Sequence, residues 1–193
     1  MRLSLLMTSL AALAIATPAA AQDRTADWQI AAAVLPLPDS MRAGAEVLGH
    51  KTPGGPLVQL RAGTNSMICL TDNPDIDGYA AHCYHTSLAA FMLRGRELRA
   101  AGITKRSAID SARLAEIKKG TLKMPEGPAT LYSLYADSVN FDPMAGRPKS
   151  ASTLISLYIP YATEQSIGIP VQPAMDRPWL MYPGKPWAHL MIQ

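Results

Sequence analysis

The chain has 193 residues, 18 Lys and Arg against 15 Asp and Glu, and a formal charge of +3 with histidine neutral. So balanced a chain offers no net-charge drive toward nucleic acid or an anionic membrane, and seven Tyr, two Phe and three Trp give no platform for stacking single strands. The length suits one domain, large enough to bury a core.

The chain opens on a leader pattern. Arg2 is followed by the uncharged apolar run Leu3 to Ala16, then by Thr17-Pro18 and by Ala19-Ala20-Ala21, a small-x-small cleavage signal before Gln22. The run falls short of the roughly 20 apolar residues of a membrane span. The expectation is a signal peptide over 1–21 and one soluble domain over 22–193, periplasmic or secreted, with no membrane span after cleavage. Without Arg2 the formal charge becomes +2.

Ala26 to Leu35 predicts a short helix carrying Trp28 and Ile30, ended by Pro36 and Pro38. Asp39-Ser40 starts a further short turn. The period then becomes that of strands: Ala45 to His50, a Pro/Gly loop from Lys51 to Pro56, Leu57 to Arg61, a Gly63-Thr64-Asn65 turn, and Ser66 to Thr71. Short turns between successive strands predict an antiparallel meander. The segment from Asp72 reads as a loop leading into a helix, Leu88 to Ala101, capped by Thr86 or Ser87 and stopped by Gly102. Leu88, Phe91, Met92 and Leu98 form its apolar stripe, and Gly95 would permit close packing against a strand. Arg94, Arg96, Arg99, Lys105 and Arg106, interrupted by Glu97, read as a solvated helix face. Ser107 and Asp110 read as a cap-like pair for a second helix, Ala108 to Lys119.

Strand alternation returns at Ala129 to Ala136 and at Thr153 to Ile159. The connection between them, Asp137 to Ser150, is long enough to be functional or mobile. From Gly168 onward, Pro170, Pro173, Pro178, Pro183 and Pro186 predict an extended tail wandering over the surface, with Ala188 to Ile192 as a last strand. The expected class is α+β: a mainly antiparallel sheet, two central helices packed on one face, and an irregular Pro-rich C-terminal tail.

Gly63-Thr64-Asn65-Ser66-Met67-Ile68-Cys69-Leu70, a GTN-x-M-x-C-L segment followed by an Asp/Pro loop and a second cysteine, resembles a segment of exported bacterial proteins of no assigned activity. The ending from Pro178-Trp179-Leu180-Met181-Tyr182-Pro183-Gly184 to Met191 resembles the tails of such proteins. The two pieces cover a minority of the chain. The resemblance implies export and a single domain, and it brings no reaction, cofactor or catalytic residue.

Reactive side chains gather between Met67 and His85. Cys69 and Cys83 are the only cysteines, and in an exported chain they predict a disulfide. It would tie the third strand to the start of the first long helix. His82, Cys83 and His85, with Cys69 or His189, are ligand types that zinc or copper takes, but no C-x-x-C or H-E-x-x-H spacing accompanies them. No metal or other cofactor is therefore expected. Asn73, Asp75, Asp77 and Gly78 imitate the start of an EF-hand loop, yet Tyr84 stands where the bidentate Glu belongs, and turn formation accounts for the same residues. No G-x-S-x-G elbow, G-x-G-x-x-G or P-loop occurs. In the tail, Trp179, Tyr182 and Trp187 either line a groove for a peptide or sugar or bury against the sheet and pin the tail down. The expected function is a non-enzymatic binding or interaction module for a small molecule, peptide or protein. The competing reading is a small periplasmic hydrolase or metal-dependent enzyme using His82, His85 and His189.

Overall fold

The computed structural model of the protein describes residues 24–52, 55–71, 78–138 and 140–193. The leader pattern and Asn73, Asp75 and Asp77 of the calcium-like loop lie outside them. Eight strands form one sheet in the order β2-β1-β3-β4-β5-β6-β8-β7. They are β1 (Glu46–His50), β2 (Leu57–Arg61), β3 (Met67–Leu70), β4 (Tyr79–His85), β5 (Ala129–Ala136), β6 (Ser152–Tyr158), β7 (Trp179–Met181) and β8 (His189–Ile192). Among the described residues five α-helices accompany them: α1 (Ala26–Ala33), α2 (Asp39–Arg42), α3 (Ala89–Ala100), α4 (Arg106–Lys118) and α5 (Glu164–Ile167). The fold is α+β, and its sheet is antiparallel at every pairing except β1 with β3.

That exception corrects the expected meander. β3 does not follow β2 in space. It passes to the far side of β1 and pairs with it in parallel, Glu46 opposite Ile68 and Leu48 opposite Leu70. The larger correction concerns the segment read as a loop into a helix. Its second part is β4, at the centre of the sheet between β3 and β5. Ala and His are weak strand signals, so pairing with neighbours on both sides, not local preference, makes this strand. The disulfide Cys69–Cys83 is present. It joins two directly opposed residues of β3 and β4 and does not reach the helix.

Alternation along β4 sends Tyr79, Ala81 and Cys83 to one face of the sheet, where they meet Ala32, Ala33, Leu35 and Leu37 of α1 and its C-terminal turn. The long connection after β5 covers the same face. Phe141 packs its ring 4.9 Å from that of Tyr79 and 5.5 Å from that of Trp28. Arg147 clamps the connection by donating to the carbonyls of Leu35, Pro36 and Leu37. On the opposite face Ile68, Tyr84, Ala129 and Tyr158 meet Leu88, Phe91 and Trp187, with Leu114 and Ile117 of α4 packed against them. The tail does not simply wander. Trp179 to Met181 pair with β8 as an edge strand, and Ala162, Leu180, Ala188 and Leu190 form a small core of their own with Ile167 of α5.

The helix starts also differ from expectation. His85 precedes a single 3-10 turn, Thr86–Leu88, and its ring nitrogen accepts from the Ser87 amide, so His85 supplies the cap that was assigned to Thr86 or Ser87. α4 begins at Arg106 with no side-chain cap, and Asp110 pairs with Arg106 one turn back instead of capping. Gly95 packs against Arg113 of α4, not against a strand: a Cβ placed there would overlap the Arg113 Nη2.

Two stability changes follow. Reducing Cys69–Cys83 is expected to lower the unfolding free energy by about 3 kcal/mol, the chain-entropy value for a loop of this length, read as a lower urea midpoint with reductant. Gly95→Ala is expected to cost about 1–3 kcal/mol through overpacking, read in the same denaturation assay.

Candidate ligand-binding site

The sheet register separates the three histidines. The row through Tyr84 runs across Leu131, Ser156 and Met191. His82 lies two residues to one side of that row on β4, and His189 two residues to the other side on β8, with β5 and β6 between them. His85 is an odd number of residues from His82 along the strand, so its side chain leaves the opposite face. Each is engaged locally. The His82 Nδ1 is 2.9 Å from the Ser133 hydroxyl, and its ring meets Tyr135 edge-on at 5.7 Å. His85 bonds to Ser87. Burial pushes the pKa of His82 down. Among the described residues no three His, Cys, Asp or Glu side chains come together as a metal site.

His189 does meet two residues of the candidate groove. Its ring lies 5.8 Å from that of Tyr182, and Tyr182 meets Trp187 near perpendicular at 6.4 Å. Trp187 is buried and stacks on Phe91 at 6.0 Å. Trp179 sits apart on edge strand β7, opposite Met191, with no ring contact to Tyr182 or Trp187 among the described residues. Tyr158 completes the floor: it pairs with His189 across β6 and β8, and the two rings stack at 4.7 Å.

α4 supplies the wall. Arg106, Asp110 and Arg113 are spaced by four and then three residues, which places them along one helix face. The Arg106 Nε donates to both Asp110 oxygens at 3.2 and 3.1 Å, and its guanidinium lies 5.7 Å from the Tyr182 ring centre. The terminal nitrogens of Arg106 make no hydrogen bond among the described residues. Arg113 is buried. Its Nη2 donates to the Phe91 carbonyl at 2.8 Å, and the guanidinium sits over the Phe91 ring at 4.0 Å. Its Nε is buried without a partner, and no carboxylate lies within ion-pair distance of it among the described residues.

Protonation states follow from these surroundings. The His189 Nδ1 is 2.8 Å from the Trp187 carbonyl, which can only accept, so Nδ1 carries the proton and the neutral ring offers Nε2 as an acceptor. Burial lowers the pKa of His189, the Trp187 carbonyl opposes this, and Arg106 lowers it further. Burial pushes Tyr158 up to about 12 against the field of Arg106 and Arg113, so the phenol stays protonated at neutral pH. Burial also brings Arg113 down to about 10, aided by Arg106 and Arg99 and resisted by Asp110, and the guanidinium remains charged. Three arginines thus act on this place against one aspartate.

Sequence reasoning named His189, Tyr182 and Trp187 but missed Arg106, Asp110, Arg113 and Tyr158. The helix signal was available: Arg113 falls one turn after Ile109 on the buried stripe of α4, an unusual place for a cation. The Tyr158 signal was not, because nothing local says that β6 and β8 are neighbours. Among known proteins, no family model matches the chain, and neither a curated protein nor a solved structure matches it.

Half-buried His82 and buried His189 both have folded pKa values below the unfolded value of about 6.5, so the unfolded chain binds more protons as pH drops through that value. Their contribution to stability is complete above about pH 6.5 and is lost as pH falls from there toward the folded pKa values. Urea midpoints are expected to fall over that window, with a shallower fall in His82→Asn and His189→Asn. An unchanged slope in both variants would assign the acid sensitivity to other groups.

Proposed function

We propose that the protein is an exported, non-enzymatic binding module that holds a small ligand over Tyr158, Tyr182 and His189, against α4. One observation carries this reading. Unspent polar groups of Arg106, Tyr158 and His189 are gathered on one aromatic floor. Such convergence of a few polar groups on aromatic walls is the usual composition of a small-molecule site. Tyr182 supports it further. It is a non-glycine residue at a φ of 57°, a left-handed conformation that costs about 1–3 kcal/mol and persists where its surroundings enforce it, often at a ligand site.

The buried disulfide, the leader pattern and the resemblance to exported bacterial proteins support export to the periplasm or beyond. No helix of the described residues is long and apolar enough to cross a membrane. We read α3 and α4 as one layer on the sheet, supported by the shared packing of Phe91, Leu114 and Ile117 with Tyr84 and Tyr158. The hydrolase reading draws little from the histidines, since the register holds them apart.

A fragment panel of neutral and charged aromatics, titrated into the full-length mature protein, tests this by side-chain NMR. Binding fragments are expected to shift the ring signals of Tyr158, Tyr182 and His189 together, and Tyr182→Ala is expected to abolish those shifts while the fold persists. Shifts gathered instead around His82 and Ser133, or ester turnover lost in His189→Asn, would displace the binding reading.

A further inference from the structure

We infer that the ligand of this site is a small organic oxyanion, a carboxylate or phosphate on an aromatic or similarly flat body, held by Arg106 and Arg113. The inference rests on the binding reading above and names its ligand class.

Arg113 carries most of the argument. A guanidinium inside a protein is normally paired with a carboxylate, because an isolated buried charge is costly. Arg113 is only 5% exposed, yet it has the Phe91 carbonyl, the Phe91 ring and no acid within ion-pair distance among the described residues. Its Nε is wholly buried and unpartnered. Gly95 leaves the space that this side chain fills, so the cation is accommodated by the packing and is not an accident of the surface. The acid whose field favours its charge is Asp110, and that carboxylate is already paired with Arg106.

Arg106 is the accessible half. Asp110 occupies only its Nε, which leaves two terminal nitrogens beside the Tyr182 ring. Guanidinium favours carboxylate and phosphate because its paired N–H groups match two oxygens at once. The Tyr158 hydroxyl, protonated at neutral pH, adds a donor. Asp110 repels an anion, but it is already bound to Arg106, and the arginines outnumber it. The stacked rings of Tyr158 and His189, with Tyr182 tilted beside them, offer an apolar seat for the body of the ligand.

The test titrates full-length mature protein with benzoate, phenyl phosphate, inorganic phosphate and benzyl alcohol, following the arginine Nε–Hε and aromatic ring signals. Benzoate or phenyl phosphate is expected to bind saturably, to shift Arg113 and Arg106, and to weaken about tenfold in Arg106→Gln, the loss typical of one charge-assisted contact. Arg106 is 57% exposed, so this variant is expected to keep its fold, which its urea midpoint checks. A preference for benzoate marks a carboxylate site. A preference for phenyl phosphate marks a phosphate site, and inorganic phosphate binding alone shows that the flat body adds nothing. Benzyl alcohol shifting the rings as strongly as benzoate, with no effect of Arg106→Gln, overturns the anion assignment and leaves the binding module standing. If no probe moves Tyr158, Tyr182 or His189, both readings fall.

Discussion

Every face of this protein is set by the alternation of β4. Tyr79, Ala81 and Cys83 turn toward α1, while His82 and Tyr84 turn the other way. A slip of one residue would exchange those sets, placing His82 under α1 and a cysteine under α3. The disulfide forbids that slip, because it joins residues that stand directly opposite in the β3–β4 register. β5 then takes its register from β4, and β6 and β8 follow in turn. The place where Tyr158 meets His189, three strands away from the disulfide, is fixed by the same pairing.

The two faces do different work. The α1 face is apolar and closed: small residues of α1 settle on the disulfide, and Arg147 holds the covering connection by backbone carbonyls alone. Its polar contacts satisfy chain ends and stabilise. The other face tolerates groups that are poor choices for stability. Arg113 lies in the core against Phe91, and Trp187 keeps its Nε1 buried without a partner among the described residues. Each such group costs folding free energy that an apolar residue of like volume would not. Two of them stand at one end of this face, beside a strained Tyr182, and departures of this kind from what a stable fold needs gather at functional sites.

Much of the fold was legible from local pattern. The strand periods of 45–61, the two long helices and the strands after Ala129 follow from alternation, glycine stops and apolar stripes. The disulfide followed from the two cysteines and the export expected from the leader pattern. What stayed hidden was non-local. β4 was unreadable because Ala80, Ala81 and His82 carry little strand preference, and only its neighbours on both sides make it a strand. The parallel step from β1 to β3 was hidden because turn chemistry speaks for adjacent strands only. The site was half legible: His189, Tyr182 and Trp187 lie close in sequence, whereas Tyr158 and the α4 arginines reach them through sheet order and helix packing.

The C-terminal turn shows how the pieces depend on one another. Pro183 and Gly184 reverse the chain between β7 and β8, Gly184 donates to the Ala162 carbonyl, and the Lys185 carbonyl accepts from Tyr161. These bonds anchor the turn to the segment after β6, so the backbone at Tyr182 cannot relax to a negative φ without breaking them. The small core of Leu180, Ala188 and Leu190 holds the strands on either side of this turn, and the Tyr182 ring packs against the cluster of Phe91, Tyr158 and Trp187. That core exists only because β8 pairs with β6. The ring of Tyr182 is thereby held beside His189 and under Arg106 by contacts that belong to the sheet. For the proposed ligand, a floor placed in advance would spare the entropy of ordering it.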